Sequence, residues 1–379
     1  MRFLFASDSF KGTISSARAA ELLDAAAREV FPHAVTCGVE VADGGEGTVA
    51  AVVASAGGTL RTVNVQGPRG GEVAASYGVL GDGRAIVEMA AASGLPLLAA
   101  DERDPRYTST FGTGQLILDA LDEGVRDISL AIGGSATNDG GMGCMRALGA
   151  RFLDADGAEL EGVGGDLARA SRIDLAGMDP RVGKTCFHVM CDVNNPLLGE
   201  RGATYVFGPQ KGATPSIADE LERGMQSYAR VLEATFPGID VAAPGMGAAG
   251  GLGVAASAFL RAELLPGIEQ VLNLVGFNEL LEGCDLCVTG EGHADAQSAH
   301  GKVVSGVAAR CRAAGVPCVA LVGGMDADAM ELTGCGVSAL VPTVIDVGTL
   351  DEVLAHAECN YTLAAERLFA LLRLGMGLI

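Results

Sequence analysis

The sequence predicts an α/β enzyme in which a doubly wound domain, built from both ends of the chain, receives a second α/β domain as an insertion. Three observations predict it. At 379 residues the chain exceeds what one hydrophobic core usually organises, its apolar residues are mainly aliphatic with only 4% aromatics, and Trp is absent. That composition favours buried parallel strands packed by Ala-rich helices. The chain also opens as β-α-β: the strand "RFLFAS", the amphipathic helix "SSARAAELLDAAAREVF" with a Ser cap, then "AVTCGVEVADGGEG", a strand that ends in a glycine turn. From about residue 286 the alternation returns, as strand "LCVTGEG", helix "GKVVSGVAARCRAAG", strands "PCVALVGG" and "VSALVPTV", and one closing helix "LDEVLAHAECNYTLAAERLFALLRL".

Between the ends the character changes. "TLRTVNVQGP", "EVAASYGVL" and "RAIVEMA" are short runs between Gly, Asp and Pro turns and read as antiparallel hairpins. The expected division is 1–60 plus 284–379 for the domain of both chain ends, and 61–283 for the insertion, with the active site expected in the interdomain cleft.

Charge narrows the function. The chain carries 26 basic and 47 acidic residues, a formal net charge of -21, which argues against nucleic acid or anionic membranes as partners. Its apolar N-terminal run is too short for a signal peptide, and no stretch approaches the roughly 20 apolar residues of a membrane span, so the cytoplasm is the expected location. An anionic ligand would need local positive potential, and Lys11, Lys211 and Lys302, each beside a glycine in a polar segment, stand out. The ten cysteines form no dense framework; Cys284 and Cys287 have C-x-x-C spacing but no second pair, and read as ordinary buried thiols. His33, His188 and His356 read as structural or exposed.

Several segments could carry chemistry. "AIGGSATNDGGMG", 131–143, lies between a strand-like run and "CMRALGARFL", which reads as a helix. Its glycines let backbone amides converge, the helix offers a positive end, and Ser135 and Thr137 add donors, the physics of an anion cradle. A tight strand-to-helix connection explains the glycines equally well, but a turn needs at most one of Asn138 and Asp139. "PGMGAAGGLG" opens an Ala-rich helix and reads first as close packing. In "ADGGEGT", Asp43 and Glu46 flank a diglycine after a strand, which suits magnesium, although an Asp-Gly turn with a helix-start Glu explains them too. Asp192, at the end of an apolar run, could serve as a general base or bind metal. "TGEGHADAQSAHGK" collects Glu291, His293, Asp295, Gln297, His300 and Lys302 after a parallel strand, a density that no turn requires; the seven-residue spacing of the histidines matches no familiar metal pattern.

Taken in order, "SDSFKGTISS", "ADGGEGT", "IGGSATNDGGMG", "CDVNNPLLGERGATYVFGPQKGA", "PGMGAAGGLG" and "TGEGHADAQSAHGK" resemble the bacterial glycerate kinase family across nearly the whole chain. The resemblance implies a Rossmann-like domain with an inserted α/β domain. It also implies transfer of the ATP γ-phosphate to D-glycerate with Mg2+, most often giving 2-phosphoglycerate. In that setting Lys11 and Lys302 would hold phosphate or the substrate carboxylate, and Gly133, Gly134, Ser135 and Thr137, with Asn138, Glu291 and His293, would bind substrate or ATP phosphates. Asp43 and Glu46 would hold magnesium, Asp192 would take the hydroxyl proton, and Asp295 stands in reserve for either task. Family members usually carry Arg at the position of His293 and often Pro at that of Ser7, which bears on affinity or acceptor choice. The alternatives are the same fold acting at the 3-hydroxyl or on a related hydroxy acid, a nicotinamide dehydrogenase, which lacks its G-x-G-x-x-G here, and a non-catalytic hydroxy-acid binding protein.

Overall fold

A computed structural model describes residues 1–10, 12–45, 47–299, 301–345 and 348–377. Two compact units result: Met1–Asp43, Ala54–Ala56 and Ile268–Ile379 form one, Gly44–Val53 and Gly57–Gly267 the other. The stretch 268–283 packs with the chain ends because Ile268 fills the space beside Gly306, where an added Cβ would meet it at 2.6 Å.

In the unit of both chain ends, five strands lie side by side in the order Val337–Pro342, Cys318–Met325, Leu286–Ala294, Arg2–Ser7, Val35–Gly38, and every neighbouring pair is parallel. The alternation of strand side chains explains how both faces are filled. Phe3, Phe5, Leu286 and Val288 face the helices Ser16–Val30 and Ala357–Met376, where Phe3 packs 5.3 Å from Phe369 between ring centres. Each such buried ring contributes about 1.5–3 kcal/mol. Cys287 and Cys318, of opposite parity, face the helix Val303–Ala314. The first helix begins where the sequence places it, with Ser15 accepting from the Arg18 amide at 3.1 Å.

The expected single closing helix is two. Thr349 and Glu352 form a capping box that starts a short helix, Leu350–Ala355, and His356, at φ -108 and ψ 14, breaks it before Ala357–Met376.

The second unit is built on a six-stranded sheet in the order Glu263–Leu265, Cys186–Met190, Asp127–Ala131, Ala85–Glu88, Glu72–Leu80, Gly58–Gln66. The first four are parallel, and the last two form the expected antiparallel hairpin, with Thr62 opposite Ser76. Its core includes Tyr77, Ile128, Phe152 and Tyr228, all sealed from solvent.

The helix expected over "CMRALGARFL" is much shorter. It spans Met142–Ala147, Gly149 turns the chain at φ +98, and Arg151–Leu153 is a strand paired with Arg172–Asp174. Only glycine adopts that dihedral without strain, and the β-forming "RFL" then finds a partner.

Candidate functional site

In the unit of both chain ends the strand order, counted along the chain, is second, first, third, fourth, fifth. Successive connections therefore leave the sheet in opposite directions between Arg2–Ser7 and Leu286–Ala294, and a crevice opens beyond their carboxyl ends. A cavity of about 530 Å³ lies there. Asp8 and Ser9 follow the first strand, Glu291, His293 and Asp295 end or follow the third, and Gly323–Gly324 and Thr343 close the fourth and fifth. Phe10, Ile14, Val344, Leu350 and Leu354 make an apolar wall. The volume falls within the few hundred to 1,000 Å³ typical of small-molecule sites.

Charge is gathered at the polar end. Glu291 is buried and its Oε1 has no hydrogen-bond partner among the described residues. Burial, assisted by Asp8 and Asp295, raises its pKa against the opposing pull of Ser298 and Lys302. Asp295 behaves otherwise: burial raises its pKa, but the Ser298 amide at 3.1 Å, Lys302 and the Ser298 hydroxyl outweigh it and hold the carboxyl down. Two acids on one short segment thus differ because burial outweighs the donors at Glu291 and the donors outweigh burial at Asp295. Lys302 immediately precedes the helix Val303–Ala314 and lines the cavity. His293 is exposed, its Nε2 3.4 Å from Asp326 and its ring against Gly324.

In the second unit the carboxyl ends of the parallel strands again collect the sequence-predicted residues. Gly133 and Gly134 follow Asp127–Ala131, are exposed, and with Gly44, Gly45 and Glu88 line a small cavity of about 170 Å³. Asp192, exposed after Cys186–Met190, accepts the Gly267 amide on Oδ1 at 2.9 Å.

The rest of the 131–143 turn is an internal brace. Asp139 is sealed and accepts from Thr110 N and Oγ1, each at 2.7 Å, from Gly141 N at 3.1 Å and from Gly143 N at 3.2 Å. The expected positive helix end is therefore consumed by the chain's own carboxylate, which leaves Gly133 and Gly134 as the part of the turn open to solvent. The Thr137 and Asn138 side chains are buried, with Thr137 Oγ1 and Asn138 Oδ1 unpaired among the described residues, and the Asn138 amide lies 3.3 Å from Thr204 Oγ1. Ser135 is also buried; beneath it Lys211, in the turn Pro209–Lys211, donates from Nζ to Ser135 Oγ at 2.8 Å and Thr137 O at 2.7 Å. Burial pushes the Lys211 pKa down to about 7, with Asp139 opposing.

"PGMGAAGGLG" buttresses this turn. Gly250 stands at φ +65, its carbonyl accepts the Gly140 amide at 2.9 Å, and an added Cβ would lie 2.1 Å from Thr137 O. Gly250→Ala is expected to destabilise the protein by about 2–5 kcal/mol, left-handed strain plus overpacking against backbone, as measured by urea unfolding.

The expected residues thus form two groups. Asp43, Glu291, His293, Asp295 and Lys302 line the cavity of the first unit, while Gly133, Gly134, Ser135, Thr137, Asn138 and Asp192 belong to the second. Lys11, Glu46 and His300 lie outside the described residues. Asp8 and Glu88 went unnoticed in the sequence, although each follows an apolar run, and Lys211 was noticed only for its glycine neighbour.

The glycerate kinase family model matches residues 3–373. The glycerate 2-kinase of Escherichia coli (strain K12) is 44% identical over 378 residues, 99% of each chain, and the glycerate kinase of Halalkalibacterium halodurans is 43% identical over 367 residues, 96% of each. The crystal structure of a provisionally named glycerate kinase 2 from Salmonella typhimurium LT2 superposes with a TM-score of 0.90 at 40% identity, covering 100% of this chain and 99% of its own. With relatives matched through both units and through every glycine- and acid-rich segment that the strand ends present, the chain belongs to the glycerate kinase family.

Proposed function

We propose that the chain is a cytoplasmic glycerate 2-kinase that transfers the ATP γ-phosphate to the 2-hydroxyl of D-glycerate with Mg2+. The observation that carries this reading is the buried, unpaired Glu291 oxygen beside Asp8, Asp295 and Lys302, at the switch point of a parallel sheet, in a chain whose E. coli relative is named a glycerate 2-kinase. Phosphoryl transfer asks for positioning and charge neutralisation more than covalent chemistry, and this cavity joins an apolar wall suited to a base with a charged end suited to phosphates.

Magnesium fits the donors present. It takes one or two carboxylates and completes its shell with water and phosphate, and Asp43 and Glu291 face the same cavity. When bound it would neutralise charge on the transferred group. Lys302 would hold phosphate oxygens as a point charge, the Gly133 and Gly134 amides would orient an anionic group, and Asp192 would accept the proton of the attacking hydroxyl. Lys11 and Glu46 keep their proposed parts in phosphate and metal binding. His293, donating from an exposed ring, would contact substrate.

Purified protein with Mg-ATP and D-glycerate tests the reading. Product consumed by enolase alone supports the 2-kinase; product that needs a mutase first assigns the 3-hydroxyl instead. Glu291→Gln is expected to raise the magnesium concentration for half-maximal rate roughly tenfold or more, since a neutral amide is a poor ligand for a hard cation. An unchanged magnesium dependence removes Glu291 from the metal shell.

A further inference from the structure

Among the described residues one group of three metal-ligating side chains converges, and it lies away from the carboxyl ends of the strands. Cys287, on the third strand of the parallel sheet, is the register partner of Cys318 on the fourth, and Cys311 reaches down to both from the helix Val303–Ala314. All three are buried, and their Sγ atoms lie within 4.8 Å of one another. No histidine or carboxylate joins them within that distance among the described residues. The C-x-x-C spacing read from the sequence does not form the cluster: Cys284 is half-buried, and its Sγ donates to Leu280 O at 3.1 Å.

Buried thiols often act only as small apolar groups, and one or two would need no other account. Three that converge from two strands and a helix form a preorganised all-sulfur site. Its donor set is selective: thiolates suit both Cu(I) and Zn2+, but Zn2+ in structural sites takes four ligands, one more than these side chains supply. We infer that Cys287, Cys311 and Cys318 form a three-sulfur binding site for a soft monovalent cation, Cu(I). Binding is without redox change; the thiols bind as thiolates and their protons pass to solvent. The ion would join the strand that carries Glu291 to the helix that starts after Lys302, and so would stabilise the unit that holds both.

Anaerobic titration of the full chain with Cu(I) tests the inference. In the Cys186→Ser, Cys359→Ser variant, which removes the two exposed thiols, one tightly held ion per chain is expected, with a raised thermal midpoint. X-ray absorption of that adduct is expected to show a shell of three sulfurs with no nitrogen or oxygen. Replacing Cys311 by Ala in the same background is expected to abolish tight uptake. A shell of two sulfurs, a shell containing nitrogen or oxygen, displacement by excess Zn2+, or uptake that survives Cys311→Ala would each overturn it. The absorption measurement uses an intact core and stands even if Cys311→Ala folds poorly.

Discussion

Asp192→Asn is expected to lower kcat by roughly 10² to 10⁴ with a much smaller change in KM. The substitution separates geometry from basicity. Asp192 Oδ1 accepts the Gly267 amide at 2.9 Å, and the Asn carbonyl oxygen can accept the same bond, so the rim of the second unit should keep its shape. What is lost is a carboxylate able to accept the proton of the attacking hydroxyl. Steady-state rates across a range of glycerate concentrations measure both quantities. Near-normal kcat would remove Asp192 from the role of base and pass it to Asp295, whose depressed pKa keeps it ionised. A rise in KM at constant kcat would assign Asp192 to binding alone.

The second large effect concerns stability and its dependence on pH. Burial lowers the Lys211 pKa from 10.5 to about 7. A neutral amine has two N–H groups, which matches the two acceptors it meets, Ser135 Oγ and Thr137 O. Between those two pKa values the unfolded chain binds a proton that the folded chain does not, so stability rises with pH through the window. Below it both states are protonated and the dependence vanishes. The unfolding free energy of the native protein, taken relative to Lys211→Met, is expected to climb by up to about 1.4 kcal/mol per pH unit above neutrality and to be flat below. Urea denaturation of both proteins across the window measures it. A difference that stays flat across the window would mean that Lys211 stays protonated in the fold, held by Asp139.

Much of the architecture was legible because its signals are local. Apolar runs ending in Gly and Asp marked strand ends, and the alternation at both chain termini marked a shared sheet. Local signals failed where a residue answers to distant neighbours. The helix expected after 143 stopped at Ala147 because Gly149 turns and "RFL" pairs with Arg172–Asp174. The closing helix divided at His356, where helix-forming composition hides a break.

The sequence by itself determined the α/β class, the six glycine- and acid-rich segments and the family they mark, since these depend on residue types at short spacing and on strand ends that expose them. Only the tertiary structure decided what each residue of those segments does. Asp139 reads as a site residue, yet the amides of its own turn and of Thr110 claim its carboxylate. Lys211, 76 residues from Ser135, is a buried support of the turn, and Cys287 finds its partners on another strand and a helix. Whether a polar side chain faces a ligand or satisfies a buried neighbour is settled by which donors and acceptors folding brings within about 3 Å, and spacing along the chain carries no record of that.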